Sequence, residues 1–132
     1  RNPALPDPRA RELARERPHG VFHVTRHPMM WSFALLSLAH ILVSPVPRVM
    51  IVAVAMAFLA LAGSVLQDHK KRDQLGSAWE RWQERTTFAP RFTMLFKAGP
   101  FPLLGGMAIW LGATWGHLAA WAIPAGVWRW VG

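Results

Sequence analysis

The sequence predicts an all-α integral membrane protein: a helical bundle with three spans in this chain and a short interfacial amphipathic helix. Three observations predict it. Hydrophobic residues make up 52% of the 132 residues and charged residues only 17%. No Asp, Glu, Lys or Arg occurs within residues 28–43, 49–66 and 100–128. The cations outside those windows are sorted by side. Six precede the first window (Arg1, Arg9, Arg11, Arg15, Arg17, Arg26), and seven lie between the second and third (Lys70, Lys71, Arg72, Arg81, Arg85, Arg91, Lys97). Only Arg48 and Arg129 fall on the other side. A charge at the bilayer centre costs about 2.5–3.5 kcal/mol on insertion scales, so charge-free windows are what spans require. A soluble bundle of buried helices is the alternative, but long soluble helices carry a polar stripe that these windows lack.

Residues 1–19 form a Pro- and Arg-rich arm with at most a short helix near Arg9 to Arg17. The chain opens at Arg1 rather than methionine, so the expectation is a trimmed chain with further elements before it. Residues 20–25, GVFHVT, alternate apolar and polar and read as extended. Pro28 suits the first position of a helix, where its missing N–H costs nothing. The first span, 28–44, is roughly 24 Å long, short but workable with flanking anchors. SPVP at 44–47 makes a tight turn, because two prolines cannot continue a helix. The second span, 48–67, holds eighteen charge-free residues, roughly 27 Å of helix. The helix then continues into QDHKKRDQL and stops at Gly76.

Next, SAWE at 77–80 reads as a capping box opening a short helix. Its Trp79 and Trp82, with Phe88, Phe92 and Phe96, suit a membrane interface, or packing against the inner ends of the spans. The third span, about 101–127, carries Ala108, Gly112, Gly116 and Ala120 at every fourth position, a strip that lets another helix approach closely. Pro124 kinks or ends it, and WRWVG anchors it at the outer interface. The domains are thus the arm, 1–19, and a membrane domain, 20–132. The positive-inside rule makes the arm and the 68–99 loop cytoplasmic. The net charge of +8 follows topology rather than a basic face in water, which excludes nucleic acid as the partner. Zero cysteines exclude disulfides and thiolate metal sites.

Two histidines bracket the first span. His40 lies roughly 18 Å along the helix from Pro28, somewhat past the midplane. An ionisable side chain at that depth is a functional hypothesis by default. A neutral imidazole in an apolar slot suits an axial ligand of haem iron; the alternative is a structural histidine bonded to a carbonyl of a neighbouring helix. His117 lies at similar depth in the third span, roughly 22 Å past Pro102, and is the candidate second ligand if the two faces oppose. His27 is about 20 Å from His40 and cannot share a centre with it. Beside Arg26 at a helix start, it stands where anionic groups bind. Asp68 and His69 face the same boundary, and with Arg26 and His27 they outline either a polar pocket or a solvated helix end. His19, His23 and His27 recur every fourth residue, but Gly20 and Pro28 oppose the helix that would make them a metal site. No phosphate loop, dinucleotide fingerprint, nucleophile elbow or HExxH motif is present.

HGVFHVTRHPMMWSFALLSLAHILVSP followed by LQDHKKRDQLGSAWERWQERTTFAP resembles the NnrU family of bacterial membrane proteins. Arg26-His27-Pro28, Leu38-Ala39-His40, Asp68 with its basic run, and Gly76 with Trp79 carry the resemblance, which covers about 20–90. It implies further spans before this segment and a link to denitrification. The similar 15-cis-zeta-carotene isomerase implies haem b with His40 as ligand. That enzyme's nearby cysteine is replaced by Ser37, and its other ligand comes from an early span absent here. A more distant likeness to isoprenylcysteine-type membrane methyltransferases implies an S-adenosylmethionine pocket at Arg26, His27 and Asp68, with tryptophans in place of that family's tyrosines. The expectation is therefore a haem-binding protein of the bacterial inner membrane, linked to nitrogen-oxide respiration or carotenoid isomerisation. If it is an enzyme, it is an isomerase. The alternatives are a membrane methyltransferase and a non-enzymatic assembly subunit that packs through the Gly112/Gly116 strip.

Overall fold

The α2–α3 hairpin is built on small residues. In the computed structural model, which describes residues 2–131, the chain runs α1 (Ala10–Leu13), a 3₁₀ segment (Gly20–His23), α2 (Pro28–Val43), α3 (Pro47–Leu75), α4 (Ser77–Arg85), a second 3₁₀ segment (Phe92–Ala98), α5 (Pro100–Trp121) and α6 (Trp128–Val131). Arg1, one of the arm's cations, and Gly132 lie outside the described residues. Pro28 and Pro47 each open a helix, as their fixed φ favours. Between those helices the chain turns at Ser44, whose N–H still reaches the His40 carbonyl at 2.9 Å.

On α2 the buried residues are Ala34 and Ser37; on α3 they are Ala53, Ala60, Ser64, Asp68 and Lys71, one stripe at helical spacing. Alanine and serine at the crossing let the two backbones close up. Both buried hydroxyls are satisfied within their own helix. Ser37 Oγ donates to the Phe33 carbonyl and Ser64 Oγ to the Ala60 carbonyl, each at 2.8 Å. Most of the large apolar side chains of α3, including Ile51, Phe58 and Leu59, point outward.

Below the hairpin sits a cap. Trp79 and Trp82 are fully buried there with Phe22, Ala4, Ala14 and Ala78, and Leu75 packs against the cluster. These two indoles therefore belong to a core and not to the membrane interface. They lie three residues apart on α4, so one helix face delivers both into the cap. Arg85 ties the arm down by donating to the carbonyls of Ala14, Arg15 and Glu16 at 3.0–3.3 Å, which caps the end of α1.

Three local expectations are corrected. Residues 20–23 form a 3₁₀ turn instead of an extended segment. Gly20 adopts φ 56° and turns the chain so that Phe22 meets Trp82 edge-on at 5.4 Å. The capping box does not form: Ser77 is already inside α4, and the Gly76 carbonyl takes the N–H groups of Trp79 and Glu80 at 2.9 and 3.3 Å. Gly76 itself, at φ 54°, ends α3 as expected. The third apolar helix ends at Trp121, not near Val127, because Pro124 cannot extend it and Ala122 takes a left-handed cap. The closing residues then fold back. Trp128 Nε1 donates to the Leu111 carbonyl and to Thr114 Oγ1 at 3.3 and 3.1 Å.

The fold is all-helical among the described residues, and one helix, α3, is by itself long and apolar enough to cross a membrane. That is fewer than the three spans expected. α2 has 16 residues, at the short end for a span. α5 has 22 residues but qualifies only together with the second 3₁₀ segment, and the pair is bent by 108°. Its four glycines, its three tryptophans at Trp110, Trp115 and Trp121, and His117 dilute the apolar signal without introducing a Lys, Arg, Asp or Glu.

Candidate functional site

The sequence-predicted residues separate into two sites, one at each end of α2. The inner site begins at the N-terminus of α2. Arg26 and His27 come immediately before Pro28, and α3 returns Asp68 to the same level, so a carboxylate meets two basic groups. Arg26 grips it with two nitrogens: Nε lies 2.9 Å and Nη2 2.6 Å from Asp68 Oδ2. His27 Nε2 donates to the other oxygen, Oδ1, at 2.9 Å. Its Nδ1 faces Gln67 Oε1 at 3.2 Å, and Gln67 Nε2 in turn donates to the Ala4 carbonyl of the arm at 3.1 Å. His27 is 2% exposed and Asp68 5%.

Loop 86–91 closes the cluster. Arg26 N–H donates to the Thr87 carbonyl and Arg91 N–H to the Val24 carbonyl, both at 2.9 Å. Thr25 Oγ1 donates to the Phe88 carbonyl at 2.7 Å, and Trp31 Nε1 donates to the same oxygen at 2.8 Å. This fixes the Phe88 ring 5.4 Å from the Arg26 guanidinium and 5.4 Å from the His27 ring. Burial alone would raise the Asp68 carboxyl. Hydrogen bonds from His27 and Arg26, and their charges, outweigh burial and hold it at about 2, below its ordinary 3.8. One turn further along α3, Lys71 is also buried and donates to the Leu5 carbonyl at 3.2 Å. Burial, then the neighbouring charge of Lys70, pulls its amine below the usual lysine value.

This cluster is a polar site, not a solvated helix end, although His69 beside it faces outward. Its donors and acceptors are engaged with one another, and the adjoining cavity is about 20 Å³, bordered by Asn2, Leu5, Met30 and Gln67. That is room for about one water molecule. Small-molecule sites enclose about 300–1,000 Å³. Chemically, the arrangement is a lock joining α2, α3, the arm and loop 86–91.

The second site lies near the other end of α2. His40 and His117 bring their rings to 6.2 Å, centroid to centroid, tilted by 47°. His117 also stacks obliquely on Trp121, one turn on, at 5.1 Å. His40 Nδ1 bonds to the Leu36 carbonyl of its own helix at 2.8 Å, not to a neighbouring helix. A carbonyl only accepts, so Nδ1 carries a proton, and Nε2 is the ring nitrogen not used in that bond. The pair is made almost by side chains alone: α5 has no buried residue, and its main packing partners are the second 3₁₀ segment and α6.

Other candidates are not assembled. Among the described residues no three His, Asp or Glu side chains gather as a metal group, so His19, His23 and His27 form none. In the strip at Ala108, Gly112, Gly116 and Ala120, both alanines are exposed, and side chains built at Gly112 and Gly116 would find open space among the described residues. An apolar groove of about 630 Å³ runs between α2 and α3, lined by residues such as Met30, Phe33, Met56 and Leu59, with no polar side chain to orient a ligand. Sequence reasoning missed Thr25, Gln67, Lys71 and Phe88 at the inner site and Trp121 at the outer one. Gln67 had a legible signal, since it precedes Asp68 at the point where the apolar run of α3 stops. Phe88 had none, because loop backbone bonds place it.

Comparison with known proteins agrees with the resemblance. A family model described as NnrU protein matches residues 5–125. No curated protein and no solved structure matches the chain.

Proposed function

The chain belongs to the NnrU family, and from that premise we propose that it is a multi-pass protein of the bacterial inner membrane that holds haem b between α2 and α5. In this reading its arm and its 68–99 loop face the cytoplasm. Its service is nitrogen-oxide respiration or a carotenoid isomerisation. The observation that carries the reading is the His40–His117 pair, 6.2 Å apart in a helical protein with one evident membrane helix.

The spacing of the two imidazoles supports the reading. Two imidazoles sharing one metal at the ordinary nitrogen–metal length of about 2 Å stand roughly 6 Å apart between ring centres. The Nδ1–H bond of His40 to the Leu36 carbonyl orients the ring and leaves Nε2 as the nitrogen that would ligate. His117 is braced by Trp121. Haem, when bound, would supply an iron centre whose redox behaviour is set by the residues that hold it, here His40 and His117. The chain's own part is to hold both ligands, His40 on the α2–α3 hairpin and His117 on α5.

No observation favours methyl transfer in the same way. That reading needs Arg26, His27 and Asp68 to face a cofactor, and they face each other. The test is an absorbance spectrum of the full chain purified in detergent. A Soret band is expected, lost in His40→Ala with helical content unchanged by circular dichroism. A Soret band that survives His40→Ala overturns the proposal.

A further inference from the structure

The second 3₁₀ segment is unlike the rest of the cap. It packs one side inward: Ala98 is buried, its carbonyl lies 3.8 Å from where a side chain at Gly20 would begin, and Arg91 N–H bonds to the Val24 carbonyl. Its other side is apolar and uncovered. Phe92 is 60% exposed, Phe96 86%, and Phe101 at the start of α5 89%. Arg91 and Lys97 flank these rings and are exposed too. Glu84 is the last acidic residue of the chain, so no carboxylate follows to neutralise them. The segment turns into α5 at 108° across Gly99, whose φ of 91° permits the corner.

We infer that Phe92–Phe101 is an interfacial elbow that seats its phenylalanines in the acyl boundary of the cytoplasmic leaflet and binds anionic phospholipid headgroups through Arg91 and Lys97. The inference rests on the membrane reading above. Several observations favour lipid over a protein partner. A segment near a right angle to a span lies along the membrane plane, and three outward rings beside two cations form the pattern of interfacial anchors. The charge sign matches the anionic cytoplasmic leaflet, where each cation strengthens the hold roughly fivefold. The inner side of the segment is already committed to the cap, so only the ring-bearing side is left to contact anything.

The chain has no cysteine, so single labels are unambiguous. Spin labels are placed at Phe96→Cys, Leu59→Cys and Ser77→Cys in the full chain, reconstituted in phosphatidylcholine alone or mixed with phosphatidylglycerol. Accessibility to oxygen and to an aqueous nickel chelate is then read. The expected result at Phe96→Cys is high oxygen and low nickel accessibility, deeper with phosphatidylglycerol. That added depth is lost in R91Q/K97Q. Nickel accessibility equal to that at Ser77→Cys overturns the elbow. Shielding from both reagents assigns the surface to protein and overturns it as well. Equal depth in the two lipids overturns the anionic preference. If Leu59→Cys also reports water, the spanning reading itself fails; if Leu59→Cys lies in lipid while Phe96→Cys reports water, only the elbow fails.

Discussion

Asp68 is the residue on which the cap depends. It accepts from Arg26 and His27 at once, and it is 5% exposed. Removing one member of a buried ion pair strands the others, so Asp68→Asn is expected to cost about 3–5 kcal/mol, read as a lower midpoint in detergent denaturation. The pH dependence has a definite sign. Asp68 is held at about 2 in the folded protein against an ordinary 3.8. A lowered carboxyl contributes stability that is present above its unfolded value and is lost as pH falls through its folded one. Stability is therefore expected to drop between about pH 4 and pH 2 in the native chain, with a smaller drop in Asp68→Asn. The sequence placed Arg26, His27 and Asp68 at one boundary, because a charge at a span end marks depth. It did not show that they would consume one another. That outcome depends on the arm and on loop 86–91, whose carbonyls no periodicity locates.

At the scale of elements, the hairpin was legible. Pro28, SPVP and Gly76 mark three boundaries by backbone chemistry alone. The failures have one common cause. The SAWE box, the alternation of GVFHVT and the reach of the third apolar helix are local patterns, and they lost to the Gly76 cap, the turn at Gly20 and Pro124 respectively. Ser37 and Ser64 show what composition hides, since in an apolar run a serine is as easily a lipid-facing residue as the tightest point of a helix crossing. Both are fully buried here. Ser64→Leu is accordingly expected to cost about 1–3 kcal/mol by forcing α2 and α3 apart, whereas Leu59→Ala on the outward face should stay within about 0.5 kcal/mol. Parallel denaturation curves of the two variants make the comparison.

For the whole molecule, the cations and the cap describe the same side. Arg85, Arg26 and Lys71 are used as structural donors within the cap, while Arg91 and Lys97 face outward. On the proposed topology that side is cytoplasmic and the α2–α3 turn is outside. A membrane-impermeant maleimide added to intact spheroplasts is expected to label Val46→Cys and to label Ser77→Cys only after lysis. The reverse pattern would invert the topology. Family membership was legible because its motifs are contiguous, and the His40–His117 pair was legible as a shared depth but not as a shared direction, since the two residues lie 77 positions apart.

The central claim is that His40 and His117 are ligands of one haem iron. Electron paramagnetic resonance of the ferric protein tests it most directly. A low-spin signal is expected in the native chain, with conversion to high spin in His117→Ala, which would lack one of the two ligands. A low-spin signal unchanged by His117→Ala would contradict it.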